Sequence, residues 1–559
     1  MHATHVIIGA GSAGCVMAAR LSEVPTHQVI LIEAGNDYAP AETPDDIRDT
    51  YSGSALMNPT YFWKNLKVRR RADAVPVYYE QGHVVGGGSS VNGQVALRGA
   101  PEDFDHWDRI GAKGWDWNSV LPYFRRLETD LDYTDQLHGS QGPITVRRMP
   151  MEQWDDFTIS VTKAWDGLGY PLRPDMNGEF GEGYSPLPLS NDGAARRSTA
   201  VGYLNDETRA RKNLRIISQA QVRRILIDGA RATGVEFRRA GQTETVTADN
   251  VVLSAGALHS PWVLMHSGIG PAAHLAEHGI AVKLDRPGVG QNLMDHPAIH
   301  ISGYLPPVSR EKMVLRRNYT YLRWSSGMEG IPAADMVMMA VCRSAWHAIG
   351  TRIGTLSSYI GRSYSTGEVR LNSSNPDDEP YVNFNWLSDK RDLDRMVDAF
   401  RRMANILTRE PVPDYLQNLF ASKYSQRVRD IGQVTLMNKI KTNIAAVMMD
   451  NSATLRKFLF EKVISDSPPI PRLLADPALL EQYVRDNVQS AWHPSCTCRM
   501  GDPADPNTVV YPTGRVVGME NLFIADASVM PEVSRTNTNI PTIMIAERVS
   551  EMIRQRAAA

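Results

Sequence analysis

His5-Val6-Ile7-Ile8-Gly9-Ala10-Gly11-Ser12-Ala13-Gly14, followed at residues 28–33 by Gln28-Val29-Ile30-Leu31-Ile32-Glu33, is the part of the chain from which the rest is best read. Residues 5–9 have the apolar run of a short buried strand, Ala13 to Glu23 is rich in helix formers, and residues 28–33 form a second apolar strand. Two strands joined by a helix within about 30 residues make a βαβ unit with a parallel sheet. The turn is a GxGxxG run with Glu33 at the end of the next strand. That spacing has a mechanism: Gly9 permits the tight turn, Gly11 lets a pyrophosphate approach the backbone, and Gly14 lets helix and strand pack closely. The helix start supplies free N–H groups and the positive end of a dipole. Glu33 can accept from both hydroxyls of an adenosine ribose and disfavours a 2′-phosphate. Glycines that merely make turns are the bland reading, and the strand–turn–helix context argues against it. The site leaves FAD and NAD open.

Outward from this unit the chain reads as an α/β protein. Its 559 residues imply two to four domains. At 42% hydrophobic and 22% charged residues it is ordinary globular material, not disordered or fibrous. A net charge of −2 provides no global field for nucleic acid or an anionic membrane. Four cysteines, Cys15, Cys342, Cys496 and Cys498, are too few for a disulfide framework and fit a reducing compartment. No run of 18 apolar residues predicts a transmembrane helix, and the first strand starts too early for a leader, so the expectation is a cytoplasmic protein. Strand pairs are predicted over 216–237 and a buried strand over 250–254, followed by a helix from about Ser260. Alternation between about 300 and 400 predicts an antiparallel sheet. Helices are predicted over 389–408, over most of 421–490 and over 541–556.

Four further runs carry a resemblance. They are Gly82-His83-Val84-Val85-Gly86-Gly87-Gly88-Ser89-Ser90-Val91-Asn92; Gly256-Ala257-Leu258-His259-Ser260-Pro261 continuing to Gly270; Gly288 through Asp295-His296; and Asp526-Ala527-Ser528-Val529-Met530-Pro531. With Glu33-Ala34-Gly35 they resemble the glucose–methanol–choline (GMC) flavoprotein oxidoreductases over nearly the whole chain. The resemblance implies FAD as cofactor. It implies FAD contacts from Gly9, Gly11, Ser12, Ala13, Gly14, Glu33, Ala34, Trp63, Val85, Gly87, Gly88, Ser90, Asn92, Gly93, Val222, Ala255, Gly256, Asp526, Ala527, Asn537 and Thr538. Asp526 would lie near the ribityl–pyrophosphate part, Val222 near the adenine, and Trp63 near the flavin unless it is ordinary core. Gly86–Gly88 would let backbone come close to the cofactor, and Asn92 offers both a donor and an acceptor. His83 stands where the family has Arg or Lys, so no phosphate contact carries over there. Val91 stands where some relatives attach FAD through a histidine, so FAD is expected to be non-covalent.

Near the C-terminus, Trp492-His493-Pro494-Ser495-Cys496-Thr497-Cys498 admits several readings. His-x-x-Cys-x-Cys has no second distant pair and supports a zinc site poorly. A cysteine nucleophile with His493 as base is a second reading, and a plain core histidine is a third. The resemblance implies that His493 is the active-site histidine and Asn537 its partner, with Asn539 the neighbouring ambiguity. Removing a hydride from an alcohol carbon requires removing the hydroxyl proton as well, and a neutral imidazole suits that step. Asn537 would hold the alcohol oxygen. No metal is expected.

Within the family, Tyr79 to Asn92, Arg98-Gly99 and Gly114-Trp115-Asp116-Trp117 resemble bacterial aryl-alcohol oxidases of the hydroxymethylfurfural oxidase type. The expected substrate is a primary alcohol, aromatic or otherwise unsaturated, oxidised to the aldehyde. Oxygen is the expected acceptor, yielding peroxide. A choline dehydrogenase-like enzyme passing electrons to a quinone or carrier is the alternative, and a non-catalytic flavin scaffold a remote one. Trp492, able to stack on a ring, is assigned to the substrate pocket with Gly93 and Ile360. Residues about 425–475 look like an insertion, with an amphipathic helix over 455–464, that serves as extra core, a lid, a subunit contact or a membrane-surface element. The oligomeric state is left open. The expected FAD-binding domain comprises residues 1–155, 195–300 and 490–559, and the substrate-binding domain residues 156–194 and 301–489.

Overall fold

The computed structural model describes residues 1–312, 316–423 and 426–558. The chain begins with β1 (His2–Ile8), α1 (Ser12–Leu21) and β2 (Val29–Ile32). The short α2 (Gly88–Val91) follows, then β3 (Gly183–Pro186), β4 (Leu214–Ile217), β5 (Ala220–Asp228), β6 (Arg231–Arg239) and β7 (Gln242–Leu253). All of these strands except β3 form one sheet in the order β4-β2-β1-β7-β6-β5. β4, β2, β1 and β7 pair in parallel, while β5 and β6 are antiparallel additions. Every residue of β2 is buried, as expected of a parallel strand covered on both faces. The helix α1 buries eight of its ten residues, mostly small ones.

The next helix, α3 (Gly256–His266), starts four residues before the expected Ser260. Pro261 lies inside it and cannot donate to the Ala257 carbonyl. Thr497 Oγ1 donates to that carbonyl instead, at 2.7 Å, so the helix continues.

β8 (Pro297–Tyr304), β9 (Asn318–Trp324), β10 (Met336–Val341) and β11 (Ile353–Ile360) then build the expected antiparallel sheet. α4 (Lys390–Leu407) packs across it, and β12 (Gln417–Ser422) joins its edge. The order is β12-β8-β11-β10-β9-β3. Beyond it come α5 (Gln426–Gly432), α6 (Leu436–Asn451) and α7 (Ala453–Phe458). The single amphipathic helix expected over 455–464 changes form at Phe458 into a π-helical turn, Leu459–Ile464. That wider turn seats Phe460 on Phe420, with ring centroids 5.0 Å apart. β13 (Gln489–Ser490) pairs with β8, β14 (Leu522–Ile524) pairs with β7, and α8 (Asn539–Ala558) closes the chain against α1. Arg20 and Tyr203 both reach the fully buried Glu547 of α8, so its charge is paired and hydrogen-bonded. The four cysteines are buried and free. No helix among the described residues is long and apolar enough to cross a membrane.

Candidate active site

The glycine loop has the geometry its spacing predicts. Gly9 takes φ +89°, and a Cβ on Gly14 would lie 1.8 Å from the Gly9 carbonyl oxygen. Gly14 therefore packs helix on strand and does not line the site. Gly88 and Gly93 differ: a Cβ on either meets nothing within 4 Å, because both border open space.

That space is a continuous cavity of about 720 Å³ running from the start of α1 to the antiparallel sheet. Gly9, Gly11, Ser12, Ala13, Glu33, Ala34, Trp63, Gly87, Gly88, Asn92, Gly93, Val222, Ala255, Gly256, Asp526, Ala527, Asn537 and Thr538 all line it, as do Trp492 and His493. Val85 and Ser90 do not. Ser90 Oγ donates to the Val85 carbonyl at 2.9 Å, so these two brace the loop from behind. Ile360 does not line it either. Along β11 the side chains facing the cavity are Ile353, Thr355, Ser357 and Tyr359, and strand alternation turns Ile360 into the core.

The polar groups of the nucleotide half are already oriented. Glu33 accepts from Ala10 N–H at 2.7 Å and Gly35 N–H at 2.8 Å, and burial holds its carboxyl above the usual range. Asp526 accepts from Gly256 N–H at 2.9 Å, Ser260 Oγ at 2.6 Å and Ser528 N–H at 2.8 Å. Asn92 Oδ1 is taken by Gln94 N–H and by Arg196 Nη1, each at 2.9 Å. Asn92 therefore presents its amide donor to the cavity, not the donor and acceptor together. His83 lies edge-on to Trp63 at 4.4 Å, outside the cavity lining, while Trp63 stacks on His259 inside it. A slot with backbone approach at Gly11, Gly87 and Gly88, with the acidic Glu33 at one end and Asp526 along it, fits a dinucleotide such as FAD.

His493 is set by a hydrogen-bond chain whose direction is forced. Ser534 contributes a carbonyl oxygen, which can only accept, so His296 Nε2 carries a proton and donates at 3.0 Å. Burial lowers the pKa of His296 to about 4, so the ring is neutral and its Nδ1 accepts. His493 Nδ1 lies 2.8 Å away and must donate. Burial, and then His296, depress the His493 pKa well below the ordinary value, so this ring is neutral too. Its Nε2 carries the lone pair, 3.1 Å from Asn537 Nδ2. Tyr359 donates to Asn537 Oδ1 at 3.4 Å, which fixes the amide orientation. The backbone is anchored as well: Asp295 accepts from His493 N–H at 2.9 Å and Ser490 Oγ at 2.5 Å.

His493, Cys496 and Cys498 do not converge as metal ligands. Both nitrogens of the His493 ring are engaged, and burial pushes both thiols far above the ordinary value. One cluster with ligand-like spacing exists among the described residues, Glu128, Asp130 and His138, but Arg98 and Arg148 pair with its carboxylates.

Trp492 sits in the left-handed region, φ +61°, 40% exposed, with Nε1 donating to Glu80 Oε2 at 3.1 Å. Glu80 also pairs with Arg429 of α5 at 3.0 Å. Ile431, Thr442, Ala445 and Met449 of α5 and α6 line the cavity, so the 425–475 segment forms part of its wall. The opposite face of α6 leaves Met437, Ile440, Ile444 and Val447 about half exposed or more, so the segment is not simply extra core. Sequence reasoning missed His296, Asp295, Tyr359 and Glu80. The Asp295-His296 run was a signal, but it carries no role until the fold brings it to His493.

Known proteins match this chain over nearly its whole length. Two models described as GMC oxidoreductase match residues 3–298 and 363–546. The chain is 37% identical to the 5-(hydroxymethyl)furfural oxidase of Methylovorus sp. (strain MP688), covering 99% of both chains. It is 33% identical to the mitochondrial choline dehydrogenase of Homo sapiens, covering 99% of this chain and 90% of that one. The pyridoxine 4-oxidase of Mesorbium loti superposes with a TM-score of 0.81 at 26% identity over 99% of each chain. The chain therefore belongs to the GMC oxidoreductase family and is an oxidoreductase of CH–OH donors.

Proposed function

We propose that the protein is an FAD-dependent oxidase of primary alcohols, aromatic or otherwise unsaturated, which it converts to aldehydes. The observation that carries this reading is the forced hydrogen-bond chain ending in a lone pair on His493 Nε2 beside Asn537. Bound FAD would supply the acceptor for the hydride and pass the electrons to oxygen. The glycine loops, Glu33, Val222 and Asp526 would hold it non-covalently, at least as far as a histidine link at residue 91 is concerned, since Val91 cannot form one. His493 Nε2 takes the hydroxyl proton. Asn537 Nδ2 turns from His493 to the alcohol oxygen and stabilises the charge developing there. Trp492, with its indole pinned by Glu80, offers a flat face to an unsaturated substrate. The similarity to the 5-(hydroxymethyl)furfural oxidase supports this substrate class.

The likeness to choline dehydrogenase supports a second reading, electron transfer to a quinone or carrier. The test is anaerobic absorbance of the purified protein near 450 nm against a panel of aryl alcohols, choline and sugars, with air readmitted afterwards. Bleaching by aryl alcohols, then rapid recovery with peroxide, is expected. Bleaching by choline alone, or a flavin that stays reduced in air, would overturn the substrate or the oxidase reading respectively.

A further inference from the structure

The part of the cavity beyond His493 is walled by the antiparallel sheet, and strand pairing arranges that wall in rows. One row runs His300, Ser357, Met339, Tyr321; the next runs Ser302, Thr355, Val341, Asn318. Asn318 and Tyr321 are three residues apart and would face opposite sides of a regular strand. A bulge in β9, where three residues span two of β10, turns both to the cavity. Arg317, immediately before Asn318, lines the same wall.

This wall carries a cation, Arg317, and no carboxylate among the described residues. Among the described residues no carboxylate lies within ion-pair reach of Arg317. Asn318 is 8% exposed with Tyr321 as its polar neighbour, and among the described residues the buried Ser357 Oγ has no hydrogen-bond partner. Buried donors left unmatched are costly and need an explanation. Arg317, His300 and Tyr321 all line the cavity. Three carboxylates line the whole cavity among the described residues. Glu33 and Asp526 hold backbone N–H groups in the nucleotide half, and Glu80 is shared by Trp492 and Arg429. Lys441 stands among the lining groups of α6. The carboxylates of this cavity all have partners, whereas Arg317 has no ion-pair partner among the described residues.

We propose that Arg317, with Asn318 beside it, forms a carboxylate subsite, and that the alcohol this enzyme oxidises carries a carboxylate at its far end. The inference rests on the alcohol-oxidising reading of His493 and adds the chemistry of the substrate's other end. Neighbouring rows on a strand face lie about 7 Å apart.

Binding tests the subsite without turnover. Isothermal titration of the FAD-loaded protein would compare 4-methylbenzoate with its neutral counterpart 4-methylbenzamide. The carboxylate is expected to bind at least about 10-fold tighter. Arg317→Met should reduce that preference about 10- to 100-fold, Arg317→Lys should restore part of it, and Asn318→Asp, nearly isosteric but anionic, should abolish it. Equal binding of the two probes, or a preference unchanged in Arg317→Met, would overturn the proposal. In turnover, 4-(hydroxymethyl)benzoate should exceed 4-(hydroxymethyl)benzamide through KM. If both alcohols bleach the flavin equally well, the subsite is wrong. If neither does while the binding preference stands, the subsite holds and the alcohol reading fails.

Discussion

Replacing His296 with alanine removes the acceptor for His493 Nδ1–H without touching any group proposed to meet the substrate. The His493 ring is buried, so the freed N–H loses its one protein acceptor. An unmatched buried donor costs about 1–3 kcal/mol. That cost falls on the one tautomer whose Nε2 lone pair faces the cavity, and the other tautomer becomes competitive. At about 1.4 kcal/mol per decade, the fraction of base-competent enzyme, and with it the rate of flavin reduction, should drop about 5- to 150-fold. His296→Gln restores an acceptor toward His493 and a donor toward Ser534, and should recover part of the loss. The assay is anaerobic stopped-flow reduction near 450 nm with benzyl alcohol, on variants matched for FAD content and thermal midpoint. A His296→Ala rate within about twofold of the parent would refute the tautomer argument. So would a Gln variant no faster than the Ala variant.

Four further outcomes follow from the same geometry. His493→Ala should slow flavin reduction by about 10²- to 10⁴-fold, the usual worth of a general base, while FAD stays bound; an unchanged rate would remove His493 from the chemistry. Because the His493 pKa is lowered, its base form persists to lower pH, so the reduction rate should show no imidazole inflection between about pH 6 and 8; a step near the ordinary histidine value would contradict the burial argument. For His296, with its pKa near 4, the stability conferred by burial in the neutral form is present above the ordinary value of 6.5 and is lost as pH falls through about 4, which thermal midpoints across that window would reveal. Gly14→Ala and Gly88→Ala should separate folding from cofactor binding. The first drives a methyl into the Gly9 carbonyl and should fail to fold the loop. The second meets no protein atom within 4 Å and should leave the thermal midpoint of the apoprotein intact while lowering the 450 to 280 nm absorbance ratio.

The first βαβ unit was readable because its physics is local. Strand, glycine turn and helix follow one another within one short stretch, and the need for no Cβ at Gly9 and Gly14 belongs to backbone only a few residues away. His493 and Asn537 were readable through the resemblance, and they do meet at 3.1 Å across 44 residues. The state of the histidine was not readable. It depends on His296, 197 residues distant, and on a carbonyl at Ser534, 238 residues beyond that. Ile360 and Arg317 show the same limit from the other side. Whether a strand residue faces a cavity or the core depends on parity, and parity depends on register and bulges set by neighbouring strands. Local propensity and spacing establish the elements and name the residue types. The direction of a hydrogen bond and the face a side chain occupies are properties of partners brought together from distant parts of the chain, so they exist only once it has folded.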